Sequence, residues 1–347
     1  MPSRYDLTRA ELSEVLAGEP RYRVEQVWQG LYQQLAEPDD LTSVPLAVRR
    51  RLSEELPTAL RLVTEQVSDA GDTVKLLWAL EGGARIESVL MLYPDRATVC
   101  VSSQAGCAMG CGFCATGQAG FERHLSAGEI VEQVVQAARR SRSLGRRLSN
   151  VVFMGMGEPF ANEERVWGAV QRLHDDVGLS ARSVTISTVG LVPGIRKLAT
   201  RPLPVNLAVS LHAADDELRD ELVPVNRRYP LDALMAACSE YLRARNRRLS
   251  FEWALIDGVN DRNVDADRLA GLCHRLPLRA HVNLIPLNPT PGWPTVGSPP
   301  GRVRAFRDRL RSQRVNATIR RNRGTDIDAA CGQLAAGHPV TILTRRP

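Results

Sequence analysis

The chain has 347 residues, 44% hydrophobic and 24% charged, enough to bury a large core as one big α/β domain or as two domains. No apolar run approaches a membrane span, and the opening MPSRYDLTRAEL lacks the apolar core of a signal peptide. A cytoplasmic protein with no membrane partner is therefore expected, in a compartment where clustered cysteines bind metal or do chemistry more often than they form disulfides. The net charge of +6 suits a polyanion such as RNA, although only Lys75 and Lys197 are lysines and a general preference for arginine accounts for part of it.

Residues 1–65 read as a helical accessory domain, with "SRYDLTRAELSEVLA", "RVEQVWQGLYQQL" and "PLAVRRRLSEEL" carrying apolar residues at helical spacing. A β-meander over 66–96 follows, with strands "TVKLLWAL" and "RIESVLML" and turns at "EGGA" and "YPDR". From residue 97 onward β-branched runs alternate with amphipathic stretches. Strands are predicted at 97–102, 150–154, 183–188, 205–210, 249–256, 280–286 and 315–320. The helices between them include "SAGEIVEQVVQAARRSRSL", where Ser126 and Glu129 form a capping box, "NEERVWGAVQRLHDD", "LDALMAACSEYLRAR", "DADRLAGLCHRL" and "GRVRAFRDRLRSQ". Repeated strand–helix units imply parallel strands, and the expected fold is α/β, a partial barrel of about six units over a core domain of 66–347.

In such a fold the carboxyl ends of the strands carry the active site. The unusual residues fall there in chain order: "CAMGCGFC" (Cys107, Cys111, Cys114), "MGMGEP" (Gly157, Glu158), "STVG" (Ser187), "SLH" (Ser210, Leu211, His212), "NP" (Asn288) and "GTDIDAACGQL" (Cys331). Six polar or reactive signals on one rim argue for an enzyme. Taken singly, Ser187 also reads as a helix cap, Glu158 as a surface charge and His212 as a core histidine.

The seven cysteines sort by context. Cys238 and Cys273 sit on leucine-rich helix stripes and read as core residues. Cys100 alternates with Val99 and Val101 and so faces the other side of its strand. Spacing alone leaves Cys100 and Cys331 open, as reactive thiols or as buried ones. A zinc site on the triplet would need a fourth ligand such as His124 or His212. An iron–sulfur cluster on three cysteines leaves one iron for a substrate or cofactor.

C-x-x-x-C-x-aromatic-C, with Phe113 before the last cysteine, resembles the signature of the radical S-adenosylmethionine (SAM) enzymes. With "CVSSQAGC", "FMGMGEP", "VTISTVG", "SLHA", "VPVNRRYP", "VNLIPLNP" and "DIDAACGQL", the chain from about 70 to 335 resembles the RlmN/Cfr family of 23S rRNA adenine methyltransferases. The resemblance implies a radical SAM barrel holding one 4Fe–4S cluster on Cys107, Cys111 and Cys114. It implies SAM, two per methylation, against Gly157, Glu158, Ser187, Ser210, Leu211, His212 and Asn288. It further implies Cys331 as methyl-carrying nucleophile, Cys100 as second reactive cysteine and Glu87 as general base. The substrate would be an adenosine of 23S rRNA, methylated at carbon 2, and also one in a tRNA anticodon loop. A flavodoxin-type electron donor and a thiol reductant follow from that chemistry, and a monomer is expected. Methylation at carbon 8, and a non-catalytic zinc-stabilised RNA-binding protein, are the two alternatives.

Overall fold

The computed structural model describes residues 3–290 and 292–337, so the last ten residues of the expected core domain lie outside the described residues. Three helices open the chain: α1 (Arg9–Val15), α2 (Tyr22–Gln29) and α3 (Leu46–Glu55). The meander is β1 (Arg61–Ser68), β2 (Thr73–Ala79), β3 (Arg85–Leu92) and β4 (Ala97–Cys100), and β1 was not legible as a strand. A small hairpin follows, β5 (Gln104–Gly106) and β6 (Phe121–His124), enclosing the short α4 (Ala115–Ala119).

The alternating part runs α5 (Ala127–Ser143), β7 (Leu148–Phe153), α6 (Glu163–Asp175), β8 (Val184–Thr188), α7 (Val192–Thr200) and β9 (Asn206–Ser210). It continues with α8 (Asp216–Leu222), α9 (Leu231–Arg245), β10 (Leu249–Leu255), α10 (Asn263–His274), β11 (His281–Pro286), α11 (Pro300–Ser312) and β12 (Asn316–Ile319). The strands form one sheet in the order β1-β2-β3-β4-β7-β8-β9-β10-β11-β12. β1 to β4 pair antiparallel, and β4 through β12 pair parallel, so six crossovers join seven parallel strands as the expected partial barrel requires.

Local chemistry explains the elements. β10, LSFEWAL, is buried at every position, as a central parallel strand covered on both faces must be. The capping box of α5 forms: Ser126 Oγ accepts from the Glu129 N–H at 3.0 Å, and Glu129 Oε2 accepts from the Ser126 N–H at 2.8 Å. No helix among the described residues is long and apolar enough to cross a membrane.

The N-terminal helices share one continuous apolar core with the sheet, from Leu12, Trp28 and Tyr32 to Val134 and Val170. Polar contacts tie the same interface. Arg172 donates to the carbonyls of Asp6 and Leu7 at 2.9 and 2.7 Å, and Trp28 Nε1 donates to Asp176 at 2.9 Å. Arg139 and Arg142 donate to the carbonyls of Leu35 and Gln34. Arg140 pairs with Glu65. That patch is structural, because arginine satisfies carbonyls at a domain seam as readily as phosphates.

Candidate active site

The loop between β5 and α4 carries the cysteine triplet. Gly106 enters it at φ +72°, and a Cβ there would lie 2.0 Å from the Gly120 carbonyl, so only glycine lets the hairpin close. The Cys107 N–H then donates to that carbonyl at 2.7 Å. Cys107, Cys111 and Cys114 all line one cavity at the carboxyl ends of the parallel strands. Burial pushes the thiol of Cys107 up to about 12 and raises those of Cys111 and Cys114. Three thiols that resist ionisation alone suit a group that brings its own positive charge, since a coordinated thiol is deprotonated outright.

Among the described residues no three His, Cys, Asp or Glu side chains converge as they would on one ion. The two proposed zinc histidines are otherwise engaged. Gln104 Nε2 lies 2.9 Å from His124 Nδ1, and the Ala254 N–H donates to His212 Nδ1 at 3.0 Å.

The opposite wall is built by successive strand ends. After β7, Gly157 adopts φ +100° where a Cβ would strike the Gln104 side chain at 2.6 Å. Glu158 is buried; its carboxylate accepts from the N–H groups of Phe160 at 3.0 Å and Val189 at 2.9 Å, and burial pushes its pKa up to about 7. Ser187 and Thr188 close β8, Ser210 closes β9, and Asn288 follows β11; all four reach the cavity.

His212 holds a left-handed backbone conformation, φ +60°. Its ring meets Phe113 edge-on at 4.7 Å, and burial, then the Arg219 charge, pushes its pKa down to about 3. The imidazole is thus neutral, and with Nδ1 accepting from Ala254 its proton sits on Nε2 at the cavity wall. Leu211 lies apart, fully buried in the apolar core, and does not line the cavity.

Cys331 is exposed and lies on the wall between this cavity and a second one. Met154, Ile285 and Arg320 share that wall. The second cavity also contains Cys100, together with Tyr93, Arg96, Arg321 and Arg323. Burial, and after it the neighbouring Cys331, pushes the Cys100 thiol up to about 12. The Cys331 loop is laced to the cysteine triplet: the Ala115 N–H donates to the Gly332 carbonyl at 2.7 Å, and Thr116 Oγ1 to that of Leu334 at 2.5 Å. Asn288 Nδ2 donates to the Cys331 carbonyl at 3.0 Å.

Glu87 lines neither cavity. It is buried, ion-paired with Lys75 at 3.1 Å, and accepts from the N–H groups of Ala335 and Ala336 at 3.0 and 3.1 Å.

Sequence reasoning missed three buried or wall residues. Arg219 is fully buried and ties together the loops after β8 and β9. Arg320 bridges both cavities and lies 3.5 Å from Glu252. Glu252, a lone charge inside the otherwise uncharged β10, was the one signal that spacing offered.

A model of the radical SAM superfamily matches residues 101–270. The chain is 52% identical to a protein of Chloroflexus aurantiacus described as a probable dual-specificity RNA methyltransferase RlmN, over 98% of this chain and 94% of that one. A protein of Parafrankia with the same description is 53% identical, over 96% and 92%. A solved radical SAM methyltransferase from Sphaerobacter thermophilus superposes with a TM-score of 0.93 at 52% identity, covering 97% of this chain and all of that one.

Proposed function

The chain belongs to the RlmN family of radical SAM RNA methyltransferases, and from that premise we propose that it methylates carbon 2 of an adenosine in 23S rRNA and of one in a tRNA anticodon loop. Membership makes it an enzyme and removes the non-catalytic zinc-protein alternative. The radical SAM family implies a 4Fe–4S cluster and SAM. Cys107, Cys111 and Cys114 would hold the cluster, and Gly157, Glu158, Ser187, Ser210, His212 and Asn288 would hold SAM. When bound, these groups supply a methyl and, after one-electron reduction, a 5′-deoxyadenosyl radical.

The observation that carries the reading is the position of Cys331 on the wall common to two cavities, with the triplet on one side and Cys100 on the other. Adenine carbon 2 is electron-poor and has no lone pair, so it cannot displace a sulfonium methyl. A thiolate can. Cys331 would take the methyl from the first SAM and present it, through the shared wall, to a base in the second cavity. Loss of a hydrogen atom from that S-methyl to the radical lets its carbon bond to the adenine. Glu87 would then accept the proton leaving carbon 2, while the Cys100 sulfur attacks the Cys331 sulfur. The adduct's unpaired electron would return to the oxidised cluster, the carbon–sulfur bond breaks, and the proton released by the Cys100 thiol ends on the freed methylene carbon, so the base departs methylated and a Cys100–Cys331 disulfide remains for a thiol reductant. This accounting needs two SAM per methyl and an electron donor of the flavodoxin type. The target base has to leave its stack to enter the second cavity, which, ringed by Arg96, Arg321 and Arg323, suits a nucleotide with its phosphates. We further read the protein as a cytoplasmic monomer.

Mass-spectrometric mapping of rRNA and tRNA from a deletion strain and its complemented counterpart tests this. A restored methyl at adenine carbon 2 is the expected result. A methyl restored only at carbon 8 would overturn the regiochemistry.

A further inference from the structure

Of the two lysines in a chain whose other basic residues are all arginine, Lys197 lies on the surface beside Glu163 and Glu164. Lys75 is different: it is buried on β2, and no motif accounts for it. In the β2–β3 register Lys75 pairs with Val89, which sets Glu87 on the diagonal of the same face, and its Nζ reaches Glu87 Oε1 at 3.1 Å. Both partners then touch the loop that carries Cys331. Lys75 Nζ lies 3.5 Å from the Asp328 carbonyl, ahead of the cysteine. Glu87 Oε2 accepts the Ala335 and Ala336 N–H groups beyond it, at 3.0 and 3.1 Å.

We propose that Lys75 is a positioning residue: with Glu87 it forms a two-ended anchor that holds the Cys331 loop in its methyl-accepting position, and this anchor must open before Glu87 can act on the base. This rests on the roles given above to Cys331 and Glu87. A buried ion pair costs desolvation, and it persists where further hydrogen bonds satisfy its remaining atoms. Here those bonds come from the loop itself. An ammonium is a compact point charge that fits between one carboxylate oxygen and one carbonyl, where a planar guanidinium fork would need more room. Glu87 has both oxygens engaged while the loop is seated. Loop seating, which the first methyl transfer uses, therefore excludes proton removal from the RNA, which the last step uses. The single carboxylate separates the two half-reactions in time.

The test uses anaerobically purified, cluster-loaded protein and the variants Lys75→Met, Glu87→Gln and the double variant. Three quantities are read: amide exchange in a peptide spanning 328–337, methyl transferred from SAM to Cys331, and iron per chain. Lys75→Met is expected to speed loop exchange and slow Cys331 methylation, each about tenfold, as loss of a hydrogen bond to a charged group would, with iron unchanged. The double variant removes both charges, so it reports the same loop effects without a stranded buried carboxylate. Glu87→Gln keeps an acceptor for the two N–H groups but leaves the buried Lys75 ammonium without its carboxylate, so Cys331 methylation slows as in Lys75→Met, and the protein–RNA crosslink that does form accumulates. Wild-type loop exchange and Cys331 methylation in the folded Lys75 variants would overturn the anchor. RNA turnover by Glu87→Gln with no accumulated crosslink, at a rate limited by the slowed Cys331 methylation, would instead remove its role as base and leave the anchor standing.

Discussion

Arg219→Lys tests whether the rim proposed to bind SAM is held by geometry or by charge alone. The guanidinium of Arg219 is fully buried and uses each of its nitrogens. Nε donates to the Leu211 carbonyl at 3.0 Å, Nη1 to Asn226 Oδ1 at 2.7 Å, and Nη2 to the carbonyls of Val189 at 2.7 Å and Ser210 at 3.3 Å. Asn226 in turn donates to Asp216 and Asp220 at 2.9 and 2.6 Å, relaying the charge to two carboxylates. Burial pulls the pKa down to about 10, which still leaves the group charged at neutral pH. Lysine keeps the charge but brings it to one atom, which cannot span acceptors on three segments.

At least two buried acceptors lose their partner, at about 1–3 kcal/mol each, so a loss of about 4 kcal/mol is expected. In a chain of this length that lowers Tm by roughly 5 °C. Ser210 and His212 lie on the freed segments, so SAM affinity should fall by about tenfold or more while iron per chain holds. Thermal unfolding and equilibrium dialysis of SAM measure both. An unchanged Tm and SAM affinity would refute the reasoning, because charge alone would then suffice.

Glu132 is wholly buried, its Oε2 accepts from the Ala59 N–H at 2.8 Å while its Oε1 finds no hydrogen-bond partner, and burial pushes its pKa up to about 7. A raised carboxylate favours the neutral form in the fold, so its contribution is full below pH about 4.5, is lost as pH rises to about 7, and is flat above, about 3 kcal/mol in all. Glu132→Gln should therefore match the parent at pH 4.5 and exceed it at pH 8 in urea unfolding; parallel curves would count against this. Gly112→Ala would set a Cβ 1.9 Å from the Trp293 ring, so the indole must leave the triplet loop; lower iron per chain and red-shifted tryptophan emission are expected, and unchanged values would contradict the packing. Cys100→Ala should accumulate protein crosslinked to RNA on denaturing gels, and normal turnover would exclude its resolving role.

Much of the cofactor side was legible because its chemistry is local. Three cysteines within eight residues must share a loop, and strand ends with glycine and hydroxyl residues mark a rim whatever the packing. The substrate side was not. Spacing left Cys100 and Cys331 undecided, and only a resemblance assigned them roles. Their approach depends on a segment after β12 folding back across the mouth of the sheet, held by Asn288 and by Lys75 and Glu87.

The amino-acid sequence by itself determined the alternating α/β plan and the cysteine triplet, since these follow from periods of two and 3.6 and from residues close in the chain. Only the tertiary structure decided that Cys331 stands between two cavities, that Arg219 ties the rim of the first, and that Glu87 is held beneath the Cys331 loop. Those facts join residues up to about 250 positions apart, and such contacts are set by strand order and register, which no local pattern encodes.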